Sequence, residues 1–374
     1  MQKRMLAMAA AICLLLSGCS LYEGSFVHVT HREGQVSENQ EDSPLVGTYQ
    51  ELQLALGAIV DSGKESGILY VTDLLQASLE KSMTAAILYT KQSNPVGSYA
   101  VEDITYQVGT NSGRTAVAVS VQYTRTAAEI QKILRLDAPF QVEGAVMQAL
   151  ENFDDRLVMQ VGHYMDMDIP QMVQNLAQEN PDKVMETPSV VEVVYGNAQT
   201  RIIEVTFSYE NTRESLRMMC KQVQPVFDSA ELYVSGEDDT NRKLSQLYGF
   251  LMERFDYKQD TSLTPTYSLL RHGVGDSRAF ANVYSAMCRR SGLTCLTVTG
   301  TRNAEPWTWN IVLDGDVYYH VDLLACAAMG GFREMTDDQM YGYVWDYSAY
   351  PECGFSEESA ATETTIPENS KSEN

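Results

Sequence analysis

The feature that most constrains this chain is a pair of alternating runs meeting at Asp314-Gly315. Trp307-Thr308-Trp309-Asn310-Ile311-Val312-Leu313 leads in, and Asp316-Val317-Tyr318-Tyr319-His320-Val321-Asp322 leads out. Asp-Gly between runs of period two is a strong signal for a two-residue hairpin. A turn on Asp314-Gly315 pairs Leu313 with Asp316. Counting outward then sets Trp309 opposite His320 and Trp307 opposite Asp322. Residues directly opposed on two strands share a face, so Trp307, Trp309, His320 and Asp322 are expected to form one cluster.

A helix is expected just upstream. Phe280, Val283, Tyr284, Met287 and Cys288 recur at helical spacing and form an apolar stripe. Asp276 suits the N-cap and Gly292 the C-terminal stop. Ser277 therefore falls in the first turn, where amide donors and the helix dipole favour an anion. A further helix is expected over 240–255, followed by a loop over 256–270.

These segments resemble the core of the transglutaminase-like cysteine-enzyme superfamily. Its pattern runs roughly Gly-x-Cys-x-Gly-Tyr-Ala, His-Ala-Trp-Asn and His-Val-Asp, and supplies a Cys-His-Asp triad. Gly275-Asp276-Ser277-Arg278-Ala279-Phe280-Ala281, Trp307-Thr308-Trp309-Asn310 and Tyr319-His320-Val321-Asp322 stand in those places. Ser277 holds the Cys position, Trp307 the His position, and Asp322 alone keeps its family identity. The resemblance implies a papain-like α+β domain with its cysteine chemistry lost. A serine hydroxyl stays protonated at neutral pH and needs an adjacent base. An indole nitrogen is a donor only, although it can donate to Asp322. The expectation is a catalytically silent domain that acts by binding, with Trp307, Trp309, His320 and Tyr267 lining a former active-site cleft. The competing expectation is an active hydrolase or transferase using Ser277 with His320 and Asp322. His272 and Asp276 are weaker candidate bases. Met335 to Cys353 resembles the closing segment of bacterial transglutaminase-like lipoproteins, and Trp345 is expected to be buried there.

Upstream, an internal repeat is visible. Val101–Thr126 and Val190–Thr212 each read as two alternating strands joined by a Gly/Asn turn, and each runs into a helix. Thr126 and Thr212 are placed as N-caps, with Glu129 completing a capping box. The following helices are read as 127–136 and 213–223. Those before the hairpins are read as 48–61, 74–89, 144–155 and 169–178. Tyr106 with Tyr195 and Tyr123 with Tyr209 are corresponding positions, read as cross-strand packing rather than a ligand row. The methionines from Met159 to Met185 lack His or Cys partners and read as core filling. The expected fold class is α+β, with two tandem small α+β modules ahead of the transglutaminase-like domain.

The N-terminus reads as an export signal: Lys3-Arg4, an apolar run from Met5 to Leu16, then Leu16-Ser17-Gly18-Cys19. The last resembles a lipobox, which implies acylation of Cys19 and anchorage to a bacterial membrane outside the cytoplasm. The expected division is signal peptide 1–18, tether 19–45, modules 46–137 and 138–235, transglutaminase-like domain 236–354 and an acidic tail 355–374. His28 and His31 in the tether have no metal-ligand framework around them. The chain carries a formal charge of −23. That opposes binding to nucleic acid. The partner is expected to be a cell-envelope peptide, glycan or protein. No cofactor or metal motif is present. Five of the seven cysteines lie beyond Cys19, and Cys326 with Cys353 is a candidate bridge.

Overall fold

The computed structural model describes residues 43–354 apart from 235, 237, 260 and 261. The signal, Cys19, the tether histidines and the tail lie outside the described residues. The described residues divide into two compact units, 43–132 with 196–198, and 133–195 with 199–354.

In the first unit the described elements are β1 (Leu45–Val46), α1 (Tyr49–Asp61), β2 (Ser66–Val71), α2 (Asp73–Gln76), α3 (Leu79–Ser93), α4 (Pro95–Ala100), β3 (Val101–Asn111), β4 (Arg114–Tyr123) and α5 (Ala127–Gln131). The sheet order is β1-β2-β4-β3, with β1 parallel to β2 and the other pairs antiparallel. Capping boxes start α1 at Thr48 with Glu51, and α5 at Thr126 with Glu129.

The second unit begins with β5 (Leu134–Leu136), α6 (Val142–Asn152), β6 (Arg156–Val161), α7 (Ile169–Glu179), β7 (Ser189–Tyr195), β8 (Arg201–Ser208) and α8 (Arg213–Tyr233). The sheet order is β5-β6-β8-β7, again with its first pair parallel and the others antiparallel. The repeat seen in the alternating hairpins thus extends to two sheets of one topology. Several expected bounds change. The helix read as 127–136 ends at Gln131, and Leu134–Leu136 becomes a strand of the second sheet. The helix read as 74–89 is two, broken near Ala77. The helix read as 213–223 runs on to Tyr233 through Pro225. Burial of Val223, Phe227 and Ala230 against the C-terminal core offsets the hydrogen bond that proline removes.

The C-terminal part of this unit comprises α9 (Thr240–Met252), β9 (Asp256–Tyr257), α10 (Pro265–His272), β10 (Val274–Gly275), α11 (Ser277–Arg290), β11 (Cys295–Arg302), β12 (Glu305–Asp314), β13 (Val317–Val321), α12 (Leu323–Ala328) and β14 (Tyr343–Val344). The expected loop at 256–270 holds β9 and the first turns of α10. Helix α11 is the hub. Phe280, Val283, Tyr284, Met287 and Cys288 are all buried, and α8, α9 and α10 pack around that core. Its other side meets the sheet, ordered β13-β12-β11-β14. Asn310 pins helix to sheet: its Nδ2 donates to Ala281 O at 2.9 Å and Leu296 O at 3.3 Å.

Candidate functional site

The hairpin register differs by one step from the sequence count. Asp314 pairs with Val317, Leu313 with Tyr318 and Ile311 with His320. The turn is Gly315-Asp316, and Gly315 takes φ +59° at the first central position. That is where a type II′ turn needs glycine. The shift moves each opposing partner by two residues. Side chains alternate with period two, so the expected face is preserved.

Strand β13 stops at Val321, short of Thr308. The Thr308 N–H therefore has no strand partner, and it donates to Ser277 Oγ at 3.3 Å. Asp276 caps α11 by accepting from Ala279 N at 2.8 Å, which places Ser277 in the first turn. Ser277 is 8% exposed. The void shared by Ser277, Thr308 and Asp322 has no volume that a water molecule could occupy.

Asp322 is 2% exposed and saturated with donors. Its Oδ1 caps α12, accepting from Leu324 N at 3.0 Å and Ala325 N at 3.1 Å. Its Oδ2 accepts from Trp307 Nε1 at 2.8 Å and from the Tyr343 hydroxyl, with Arg302 at 3.5 Å. The bond from Trp307 to Asp322 is the one the residue chemistry anticipates. The half-buried Trp307 ring is flanked by Tyr257, with centroids 5.8 Å apart, and by the Arg302 guanidinium at 5.2 Å. Burial is the largest cause raising the Tyr343 phenol, and the Asp322 charge adds to it.

Trp309 and His320 do not line an open cleft, which corrects their expected role. Trp309 is 1% exposed and His320 wholly buried. The chain after α12 returns to cover them, and Trp345 sits edge-on to both, at 5.8 and 4.8 Å between centroids. His320 Nδ1 accepts from Trp309 Nε1 at 2.9 Å. Indole only donates, so the ring proton lies on Nε2 and points to Asp337 Oδ1 at 2.8 Å. Both nitrogens are thereby committed, and the structure does not bring His320 to Ser277. Burial pushes the His320 pKa down, against the pull of Asp337.

A thiol does lie beside this histidine. The ligand atoms of His320, Asp337 and Cys353 are within 4.8 Å of one another. The group is poorly suited to a metal, because the Nε2 lone pair is taken by its proton while Trp309 holds Nδ1. Nor is Cys353 an activated nucleophile. It is fully buried, its Sγ donates to Pro351 O, and burial together with the Asp337 charge pushes its thiol up to about 12. Cys326 and Cys353 are both free, so the expected bridge is not formed. Cys326 Sγ donates to Arg333 O instead. Tyr267 is half-buried, its hydroxyl donating to Gln222 at 2.8 Å and its ring edge-on to His272.

The open space lies elsewhere, and sequence reasoning missed it. A groove of about 490 Å³ runs between α7 with the 181–187 segment and the face carrying Arg278, Asn282, Thr299 and Thr308. Arg278 follows Ser277 in sequence, and Thr308 supplies the amide that Ser277 accepts. No local motif marks such a groove, because its two walls are a hundred residues apart in the chain.

Residues 229–358 match the family model described as the Transglutaminase-like superfamily. This segment is a transglutaminase-like domain. Among curated proteins, none matches the chain. Three solved structures show distant likeness. One is a candidate cysteine protease from Cytophaga hutchinsonii, with TM-score 0.26 and 12% identity over 40% of this chain and 65% of that one. A second is a TGase, with TM-score 0.24 and 9% identity over 51% and 58%. The third is a candidate protease from Parabacteroides distasonis, with TM-score 0.23 and 8% identity over 58% and 48%. This chain spans less than two thirds of each of those structures. Among the described residues, no helix is long and apolar enough to cross a membrane.

Proposed function

We propose that the transglutaminase-like domain is catalytically silent and works by binding a cell-envelope ligand in the groove beside Ser277. The observation that carries this reading is the occupation of Asp322. Where a triad aspartate would orient a histidine, its Oδ2 accepts from Trp307, a side chain unable to take a proton. Ser277 Oγ accepts a hydrogen bond from Thr308, and among the described residues no basic side chain is bonded to it. A hydroxyl with no base to receive its proton is a poor nucleophile. The lipobox-like Cys19 supports anchorage by lipid to a bacterial membrane on the extracytoplasmic side. The partner would then be a peptide, glycan or protein of the envelope, without cofactor or metal.

The test compares the mature chain with Ser277→Ala and His320→Ala on peptide and wall-fragment substrates. No turnover above the Ser277→Ala baseline is expected, while fragments that bind protect the groove from proteolysis. Turnover lost in both variants would refute the silent reading. Mass measurement of the membrane-extracted protein tests the anchor, which requires a diacylglyceryl adduct on Cys19.

A further inference from the structure

We infer that the outer edge of β11 receives an extended peptide by strand addition, with a carboxylate of that peptide seated at Arg278. This rests on the binding role just proposed only in placing the ligand in the same groove. The inference begins with the incomplete pairing of β11. Strand β12 pairs with it along its whole length, whereas β14 pairs only at Thr301 and Arg302. Among the described residues the remaining outer edge has no strand partner.

The direction of the main-chain groups follows from the hairpin. Asn303 and Ala304, at φ +53° and +69°, form the tight loop that closes on the Arg302–Glu305 pair. In an antiparallel ladder successive residues alternate between bonding the partner and facing away. Arg302 bonds β12 here, so Cys295, Thr297, Thr299 and Thr301 turn their N–H and C=O groups outward. Three of these four are engaged. Cys295 O accepts from Ser285 Oγ at 3.0 Å, Thr297 O from Gln178 Nε2 at 3.5 Å, and Thr301 lies against β14. Thr299 is exposed and lines the groove. Among the described residues its outward main-chain groups have no partner.

Gln178 identifies the kind of ligand. Its carboxamide N–H sits on Thr297 O, as the N–H of an added strand would, and also reaches Thr299 Oγ1 at 3.3 Å. Both contacts are long, so a peptide amide can displace them at small cost. An extended peptide repeats N–H and C=O at the spacing the edge presents, whereas a glycan does not. The groove volume of about 490 Å³ lies within the range of small-ligand sites. Among the described lining residues Arg278 is the one charged side chain. It is exposed and donates to Ser262 O at 2.8 Å, leaving other guanidinium donors for a carboxylate. Asn282 stands one helical turn further on, 6% exposed, with an Oδ1 that has no partner.

The experiment titrates the mature chain with fluorescent hexapeptides of alternating Thr and Val that carry one Glu, Gln or Lys, read by anisotropy. The Glu peptide should bind about tenfold more tightly than the Lys peptide. N-methylation of the alternate amides that face β11 should weaken binding by about tenfold, and methylation in the other register by less than about twofold. Thr299→Pro, tolerated where an N–H faces away from the sheet, should reproduce the first loss. Arg278→Gln should erase the preference for Glu. Equal tolerance of both methylation registers would overturn strand addition while leaving the groove as a binding site. Binding of glycan fragments and of no peptide would overturn the proposal and leave the silent reading standing. Cleavage of the bound peptide would overturn the silent reading and leave strand addition intact.

Discussion

Trp307→Phe is the substitution that most directly probes the site. Phenylalanine keeps most of the ring packing against Tyr257 and Arg302 and removes the indole N–H that Asp322 accepts at 2.8 Å. A hydrogen bond to a charged group contributes about 1.5–3 kcal/mol. Asp322 is nearly inaccessible to water, so solvent cannot replace the lost donor, and the upper half of that range is expected. Asp322→Ala strips the acceptor from Trp307, Tyr343, Arg302 and two amides of α12 together, and should cost about 3–5 kcal/mol. Trp307→His retains a ring N–H toward Asp322 and should recover about half of the loss seen with Phe. All three tryptophans of the chain lie in this domain, so tryptophan emission during urea unfolding reports its transition. The double variant Trp307→Phe with Asp322→Ala should show about 1–2 kcal/mol of coupling. A Trp307→Phe loss below about 0.5 kcal/mol, with no coupling to Asp322, would refute the view that this pair anchors the site.

The neutral, buried His320 sets a pH dependence. Its folded pKa lies below the ordinary 6.5, so the unfolded chain binds a proton that the folded chain refuses. Stability should therefore fall as the pH drops below about 6.5, by at most about 1.4 kcal/mol per pH unit. His320→Gln, which can accept from Trp309 and donate to Asp337, should flatten that slope in urea titrations at pH 5 to 7.5. Thiol titration gives a separate check. Burial pushes Cys220 and Cys326 up to about 11 and Cys353 up to about 12, so a charged disulfide reagent at pH 8 should label the native protein slowly. Labelling of all five described cysteines should become fast only in denaturant.

The sequence shows the frame of this domain well because the frame is local. The stripe from Phe280 to Cys288, the Asp276 cap and the Gly292 stop are all written within one helix, and each is found in place. The alternating hairpins of both upstream modules were legible for the same reason. Short strands that depend on distant partners were not. β2 and β6 are six residues each, and β1 and β5 are shorter still. Their pairing energy comes from segments far along the chain, which no local window contains. The Asp314-Gly315 dipeptide misled the register by one step because glycine took the first central turn position rather than the second. The bond from Trp307 to Asp322 survived that error, since the two-residue shift between partners preserves the face. Burial of Trp309 and His320 did not follow from the pattern. It depends on Trp345 folding back from beyond α12, a contact that alternation within a hairpin cannot encode.

Trp307 and Asp322 are chemically matched, a donor-only indole against a buried carboxylate. The indole at position 307 can only donate, so it gives Asp322 a hydrogen bond and gives Ser277 no proton acceptor. Asp322 also caps α12 and would be a costly buried charge without donors. Trp307 supplies one of those donors and adds ring surface against Tyr257 and Arg302. Asp322 thus acts as a structural hub that ties α12, β12 and β14 together. Beside it lie the groove of about 490 Å³ and the part of the β11 edge that β14 leaves uncovered.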